Sequence, residues 1–539
     1  MKKTLLALLV ALMVLMPSTL SLAEDATTSL ITTTESLPVP SLPLVDTPIT
    51  LTVMYPRQTA HGNFEDMWFL KEVEAQTNIK LEIQAIESAG WTEKLNLSFA
   101  SGDLPDILLS GVSFDDANKF GMAGMLLPLE DLLQEYSPNT MAIFDYIPDT
   151  LRTVTASDGH IYMMPSYDTT ARDMIASFKS INLAWLEKSG LGIPTTLDEF
   201  YEALIALRDG DGNGNGEADE IPFSFVYDGD SFNVVLSAFG YVNARHDVID
   251  NEYIYVPMQD NFREYLKFMA KLYAEGLLDP EVFTQTTEQF SAKCSSYLLG
   301  CGGDQMKDYL SDETQKHAYT LLGPLTSEFN ETKMWPGRSQ ENTSGTFCIT
   351  SACEDPIAAV KLLDYFYSED VTFMTKCGPE KGQWDGEGGW TRNIAEDGAV
   401  SYTIEYDAEQ YNGFWNFRLA NGLMNMPFFY TDVHAALVLG ADPDATLISQ
   451  QVFTSGCYDA RRLGFPSGVK FTEDEQDILA PFVLLDSYVD QMVAKFITGA
   501  IDIHDDAQWQ EYLNNIEMMD VATLIETRQA AYDRWNQVG

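Results

Sequence analysis

Asp209, Asp211, Asn213, Asn215, Glu217 and Glu220 take the first, third, fifth, seventh, ninth and twelfth places of one twelve-residue run, with Gly214 at the sixth. A hard divalent cation is held by oxygens from alternate loop positions, a glycine that lets the chain turn, and a final carboxylate that clamps with both oxygens. Asp209, Asp211 and Asn213 supply side-chain oxygens, Asn215 a backbone carbonyl, Glu217 a contact through water and Glu220 the clamp. The run 209–220 is therefore expected to bind calcium. The bland alternative is an acidic, glycine-rich loop left to solvent, in which the carboxylates of Asp209, Asp211, Glu217, Asp219 and Glu220 only repel one another.

The flanking elements decide what such an ion does. Thr196 and Glu199 form a capping box, and Phe200, Ala203, Leu204 and Leu207 then recur at helical spacing. After the loop, the run 221–226 alternates like a strand, and Pro222 bars a continuing helix. A calcium sensor works by changing the angle between two helices. With a strand in place of the second helix, the ion is expected to be a fixed staple, and no second copy of the loop supports a paired docking module.

Lys2 and Lys3 precede an apolar run from Leu5 to Met16, and Ser21-Leu22-Ala23 places small residues where a signal peptidase cuts. The run is too short to span a bilayer. Residues 1–23 are expected to be a signal peptide cleaved near Ala23, which makes the protein exported, extracellular or in the cell envelope. No Cys follows the cleavage region before Cys294, so no lipid-attachment Cys is expected. Residues 24–48 are rich in Thr, Ser and Pro without periodicity and are expected to be a disordered tether.

A net charge of −49 disfavours nucleic acid and anionic membranes as partners. Six Cys permit disulfides in an exported chain without fixing their connectivity, and six scattered His give no metal cluster. The chain beyond the tether is too long for one core, so two or more lobes are expected. Ile49, Leu51 and Val53 alternate as a strand, 65–76 reads as a helix, and Ile79, Leu81 and Ile83 alternate again. That is a β-α-β unit and hence parallel sheet. Trp91 to Ala100 is a second helix, and Asp106 to Leu109 a short strand. Further helices are expected over 357–367 and 477–498.

The order of motifs resembles a known family. The stretches Ala100-Ser-Gly-Asp-Leu-Pro-Asp-Ile107, Gly124-Met-Leu-Leu-Pro-Leu-Glu-Asp-Leu132 and Asp158-Gly-His-Ile-Tyr-Met-Met-Pro165 are similar to extracellular solute-binding proteins of ABC importers. So is 182–200 followed directly by the calcium loop and Ile221-Pro222, an order specific to the larger, sugar-oligomer type; 495–499 and 529–534 resemble that group's carboxyl end. The resemblance implies an α/β, type II, two-lobed clamp, each lobe a mostly parallel sheet covered by helices, with hinge crossovers between lobes. It places lobe 1 at 49–166 and about 345–430, and lobe 2 at 167–344 and about 431–539. It implies a monomer that captures an oligosaccharide or other small polar solute and delivers it to an ABC permease in the membrane.

The principal rival is a secreted polysaccharide hydrolase, which would need two carboxylates across a sugar bond. With 81 Asp and Glu such a pair can always be found, so it discriminates nothing. No G-x-S-x-G, H-E-x-x-H, P-loop or G-x-G-x-x-G occurs, so no catalytic residues are expected. A surface adhesin, or a receptor for peptide or another organic solute, would also suit an exported acidic chain. Sugar rings offer apolar C–H faces to aromatic side chains. Tyr55 and Trp91 lie just past strands, Tyr167 beside the expected first crossover, and Trp335, Trp384, Trp390 and Trp415 in irregular surroundings. These are the candidate ligand contacts, and for each of them ordinary packing competes with that role.

Overall fold

The computed structural model describes residues 37–537 apart from 177–178, 228–232, 304–305, 307–308, 383, 385, 387, 395–399, 412–413, 424 and 432–450. The expected signal peptide, and residues 24–36 of the expected tether, lie outside the described residues.

Sixteen strands occur among the described residues: β1 (Ile49–Arg57), β2 (Ile79–Glu87), β3 (Ile107–Leu109), β4 (Met164–Asp168), β5 (Lys179–Asn182), β6 (Ile221–Ser224), β7 (His246–Ile249), β8 (Glu252–Tyr255), β9 (Leu299–Gly303), β10 (Tyr319–Leu321), β11 (Trp335–Pro336), β12 (Glu341–Ile349), β13 (Gly389–Ile394), β14 (Val400–Glu405), β15 (Phe429–Tyr430) and β16 (Arg461–Arg462). Two sheets organise the chain, one ordered β15-β4-β12-β3-β1-β2 and the other β10-β5-β9-β6. Each has its own core. Leu51, Val53 and Tyr55 of β1 pack with helices Trp68–Thr77 and Pro356–Tyr367, while Met54 points to the opposite face against Trp91, Leu95 and Phe99. In the second lobe, Phe200, Leu204, Phe223 and Leu266 share one core with Val489, Phe496 and Tyr512 from the carboxyl-terminal helices.

The first β-α-β unit is parallel as expected, β1 pairing with β2 from Ile49–Ile79 to Arg57–Glu87, and with β3. Asn78 ends the intervening helix at φ 60, the left-handed conformation that Asn tolerates. Both sheets are nonetheless mixed. β12 runs antiparallel to β3 and β4, and β5 runs antiparallel to β9 and β10, because these strands enter their sheets from the crossovers, opposite to the neighbours they join. Two crossover segments lie side by side: the Ala176 amide donates to Pro336 O at 2.8 Å and the Arg338 amide to Met174 O at 2.9 Å.

The tether expectation needs correction for residues 37–48. Leu37 and Leu44 are buried in the first core, the Leu44 amide donates to Thr77 O at 3.2 Å, and Asn139 Nδ2 donates to Pro38 O at 2.9 Å. Four apolar residues spaced among the prolines, Leu37, Val39, Leu44 and Val45, are enough to seat a strap without regular structure. The six cysteines are free and buried. No described helix is long and apolar enough to cross a membrane.

Candidate functional site

The loop 209–220 leaves helix Leu197–Asp209, whose capping box forms as the sequence dictates: Glu199 N lies 3.2 Å from Thr196 Oγ1, and Glu199 Oε2 accepts from Thr196 N at 3.3 Å. Gly214 and Gly216 take φ +79 and +81, which L side chains rarely adopt. Asn213 and Asn215 each accept from the amide two residues on, at 2.9 and 2.7 Å. Asp211 Oδ2 accepts from the Gly216 amide at 3.2 Å. Gly212 lies against the Trp185 ring, where a Cβ would collide, so the turn is seated on the core.

Glu220 tests whether these residues fit a cation. Its Oε1 accepts from the Gly212 amide at 2.9 Å, but Oε2 is buried with no hydrogen-bond partner. Burying a carboxylate oxygen unpaired costs free energy, and a hard cation is the group that relieves it. The donor set therefore fits calcium. Two arrangements differ from the expected ligand set. Asp209 faces Arg208, at 2.7 and 3.1 Å, and Asp219 accepts from the side-chain amides of Asn213 and Asn215, at 2.9 and 3.0 Å. Among the described residues no three acidic, His or Cys side chains converge as a metal group.

The aromatic candidates divide by burial. Tyr55, Tyr167 and Trp335 have no exposed surface, and Trp91 is buried with Nε1 donating to Gly111 O at 2.6 Å. As packed here these four rings are core and present no face to a solute. Trp384 and Trp390 are half-buried, their Nε1 atoms donating to Gly388 O and Gly378 O at 3.0 Å each. Trp415 falls in helix Phe414–Asn421, but its side chain lies outside the described residues. Around Phe417 of that helix gather Trp384, Tyr406 and Tyr411, with centroids at 6.4, 5.8 and 5.1 Å. A Cβ on Gly62, in the loop after β1, would lie 3.3 Å from Ala420 O. An aromatic lip thus stands over the carboxyl end of β1, where α/β sheets place ligands.

Beside the lip is a charge pair that neither motif nor spacing revealed. Lys376 Nζ lies 3.5 Å from Asp168 Oδ2 at the end of β4, and 3.8 and 4.7 Å from the Phe428 and Tyr430 rings. Burial pushes the Lys376 ammonium below its ordinary range, opposed by Asp168. Burial and the neighbouring Asp168 charge raise the Asp173 carboxyl. Arg418 Nη1 donates to Lys376 O at 3.1 Å, tying the aromatic helix to the pair. Flat faces with fixed charges beside them suit polyhydroxylated solutes.

Residues 59–372 match the family described as bacterial extracellular solute-binding protein. The chain belongs to that family. It is 37% identical over 242 residues to the fructooligosaccharide ABC transporter substrate-binding protein FusA of Streptococcus pneumoniae, 43% of this chain and 45% of that one. Bacillus subtilis lipoprotein LipO is 27% identical over 289 residues, 51% of this chain and 56% of that protein. The chain spans about half the length of the curated relatives it matches. The structures of FusA with kestose, and of its EF-hand mutant with fructo-nystose, each superpose with TM-score 0.68 at 24% identity, over 90% of this chain and 99% of theirs. An HMO-binding ABC-transporter associated solute-binding protein of Bifidobacterium longum infantis gives 0.72 at 21% identity, over 91% and 99%. At these identities the likeness establishes the fold, the type II two-lobed clamp. FusA and the Bifidobacterium longum infantis protein are binding proteins.

Proposed function

We propose that this protein is an exported solute receptor that captures an oligosaccharide or related polar solute between its lobes and delivers it to an ABC permease. The family match over 59–372 carries this reading. The aromatic lip beside the Lys376–Asp168 pair supports a sugar. The half-length identity to FusA makes fructo-oligosaccharides the first class to try. In this reading the lobes are 37–168 with 341–431, and 179–336 with the carboxyl-terminal helices. Trp384, Trp390 and Trp415 are the sugar platforms, and calcium at 209–220 is structural. The leader is removed near Ala23.

The test is a thermal-shift panel of kestose, nystose, milk oligosaccharides and peptides. A ligand present at a hundred times its Kd stabilises the folded state by about 2.7 kcal/mol, a shift of several degrees. Stabilisation by peptides with none by any glycan would overturn the sugar reading. Cleaved glycan ends after incubation would replace the receptor by the hydrolase.

A further inference from the structure

A cavity of about 450 Å³ lies where helix Pro148–Val154 of the first lobe, the second crossover and the carboxyl-terminal segment of the other lobe meet. Strand alternation sets it apart from the lip. Asp168 and Tyr430 turn toward Lys376 and the aromatic helix. Their neighbours Tyr167 and Phe429 turn the other way, Phe429 against Tyr146 at 5.5 Å, and Glu341, paired with Tyr167, reaches the Thr150 hydroxyl at 2.6 Å on that side. Tyr146 and Glu341 line the cavity, which therefore opens behind the crossover strands as seen from the lip.

Its chemistry runs against the acidic surface. In a chain of net charge −49, the cavity is lined by Arg338 and Arg461. Of the two lining carboxylates, Asp149 pairs with Arg152 at 2.9 Å and Glu341 accepts from the Thr150 hydroxyl at 2.6 Å. Arg461 stacks on Tyr458 at 3.8 Å. Arg338 has neither an ion pair nor a side-chain hydrogen bond among the described residues, although Glu331 and Glu341 are close to it in sequence. Two further polar atoms at the wall, Gln340 Oε1 and Trp535 Nε1, are buried without hydrogen-bond partners. An acceptor, a donor and an unpaired guanidinium around an apolar wall of Leu463 and Pro466 make a recognition set, and the volume falls in the range of small-molecule sites.

The geometry points to a second ligand site in this cavity, for a small organic carboxylate of one or two sugar rings, held by Arg338 and seated between the lobes. Its occupant touches both lobes and the crossover, so it binds without competing for the lip.

The probes are galacturonate and digalacturonate, with galactose as the neutral control, titrated calorimetrically into the full mature chain. The acids are expected to bind, galactose at least tenfold more weakly. R338A is expected to lose tenfold or more while keeping its thermal midpoint, since Arg338 is exposed. L463W, which fills the cavity from the opposite wall, is expected to abolish binding. A saturating lip ligand from the glycan panel is expected to leave one acid still bound per chain. No heat from either acid at millimolar concentration, unchanged affinity in both variants, or one-for-one displacement by the lip ligand would each overturn the proposal. Because the probes and variants lie away from the lip, failure of the sugar-receptor reading leaves this test intact.

Discussion

Glu220 closes its own loop onto Gly212, eight residues back: one carboxylate oxygen takes the Gly212 amide at 2.9 Å while the other is buried unpaired. The contact gives the turn a shape before any ion arrives and leaves an oxygen for it.

Removing calcium with a chelator is therefore expected to lower the unfolding midpoint, by the equivalent of about 2.7 kcal/mol if the site was filled at a hundred times its Kd. E220Q should weaken calcium binding tenfold or more. D219N should weaken it much less, since Asp219 braces Asn213 and Asn215 rather than occupying a ligand position. Calorimetric calcium titration of the two variants decides, and equal losses would refute the ligand assignment.

The lip predicts a graded loss. W384A and W390A are each expected to weaken the best glycan of the panel by about tenfold, because each removes an aromatic platform worth ~1 kcal/mol beyond its area. Y55F, a change within the core, should leave affinity near wild type. The reverse ranking would move the site.

Closure gives a scattering test. A clamp that grips its ligand between lobes is more compact when loaded. The radius of gyration is expected to fall on adding the glycan; a bound complex of unchanged size would argue for a rigid receptor.

Asp364 sets a pH dependence. It is buried on helix Pro356–Tyr367, accepting from the Ser137 hydroxyl at 3.0 Å and the Asn139 amide at 2.8 Å, and burial raises its carboxyl from 3.8 to about 6. With the folded value above the unfolded one, the native state holds the extra proton between these values, so this group's contribution falls as pH rises through that window and stays low above it. D364N keeps an oxygen for both donors without the charge. It should stabilise by about 1–3 kcal/mol at pH 7.5 and by clearly less at pH 4.5, read from urea unfolding. Equal effects at both pH values would rule this out.

What the sequence disclosed was local. The strands β1 to β3, the capping box on Thr196 and the loop 209–220 could be named because each is written as a pattern within one short run, even though β1 then pairs with strands well beyond its own run. Even the last helices were visible, although 477–498 is interrupted: Ala480–Phe482 is a 3-10 turn at Pro481, which lacks the amide a continuous helix requires. The lip was half-visible. Trp384 and Tyr55 are alike as letters, and only their tertiary settings, one beside Phe417 and the other inside the first core, leave one ring partly exposed and the other enclosed. Lys376 meets Asp168 across 208 positions, a separation no spacing rule spans.

The buried thiols offer a use of their own. Cys348, Cys353 and Cys377 sit in the cores of the first lobe, Cys294, Cys301 and Cys457 in those of the second, and burial pushes each thiol up, Cys301 and Cys377 to about 12. A folded lobe therefore hides its three cysteines from a thiol reagent, and an unfolded one surrenders them together. Mass-resolved labelling in rising denaturant reads the two lobes as separate clocks, and would show which of them gives way first.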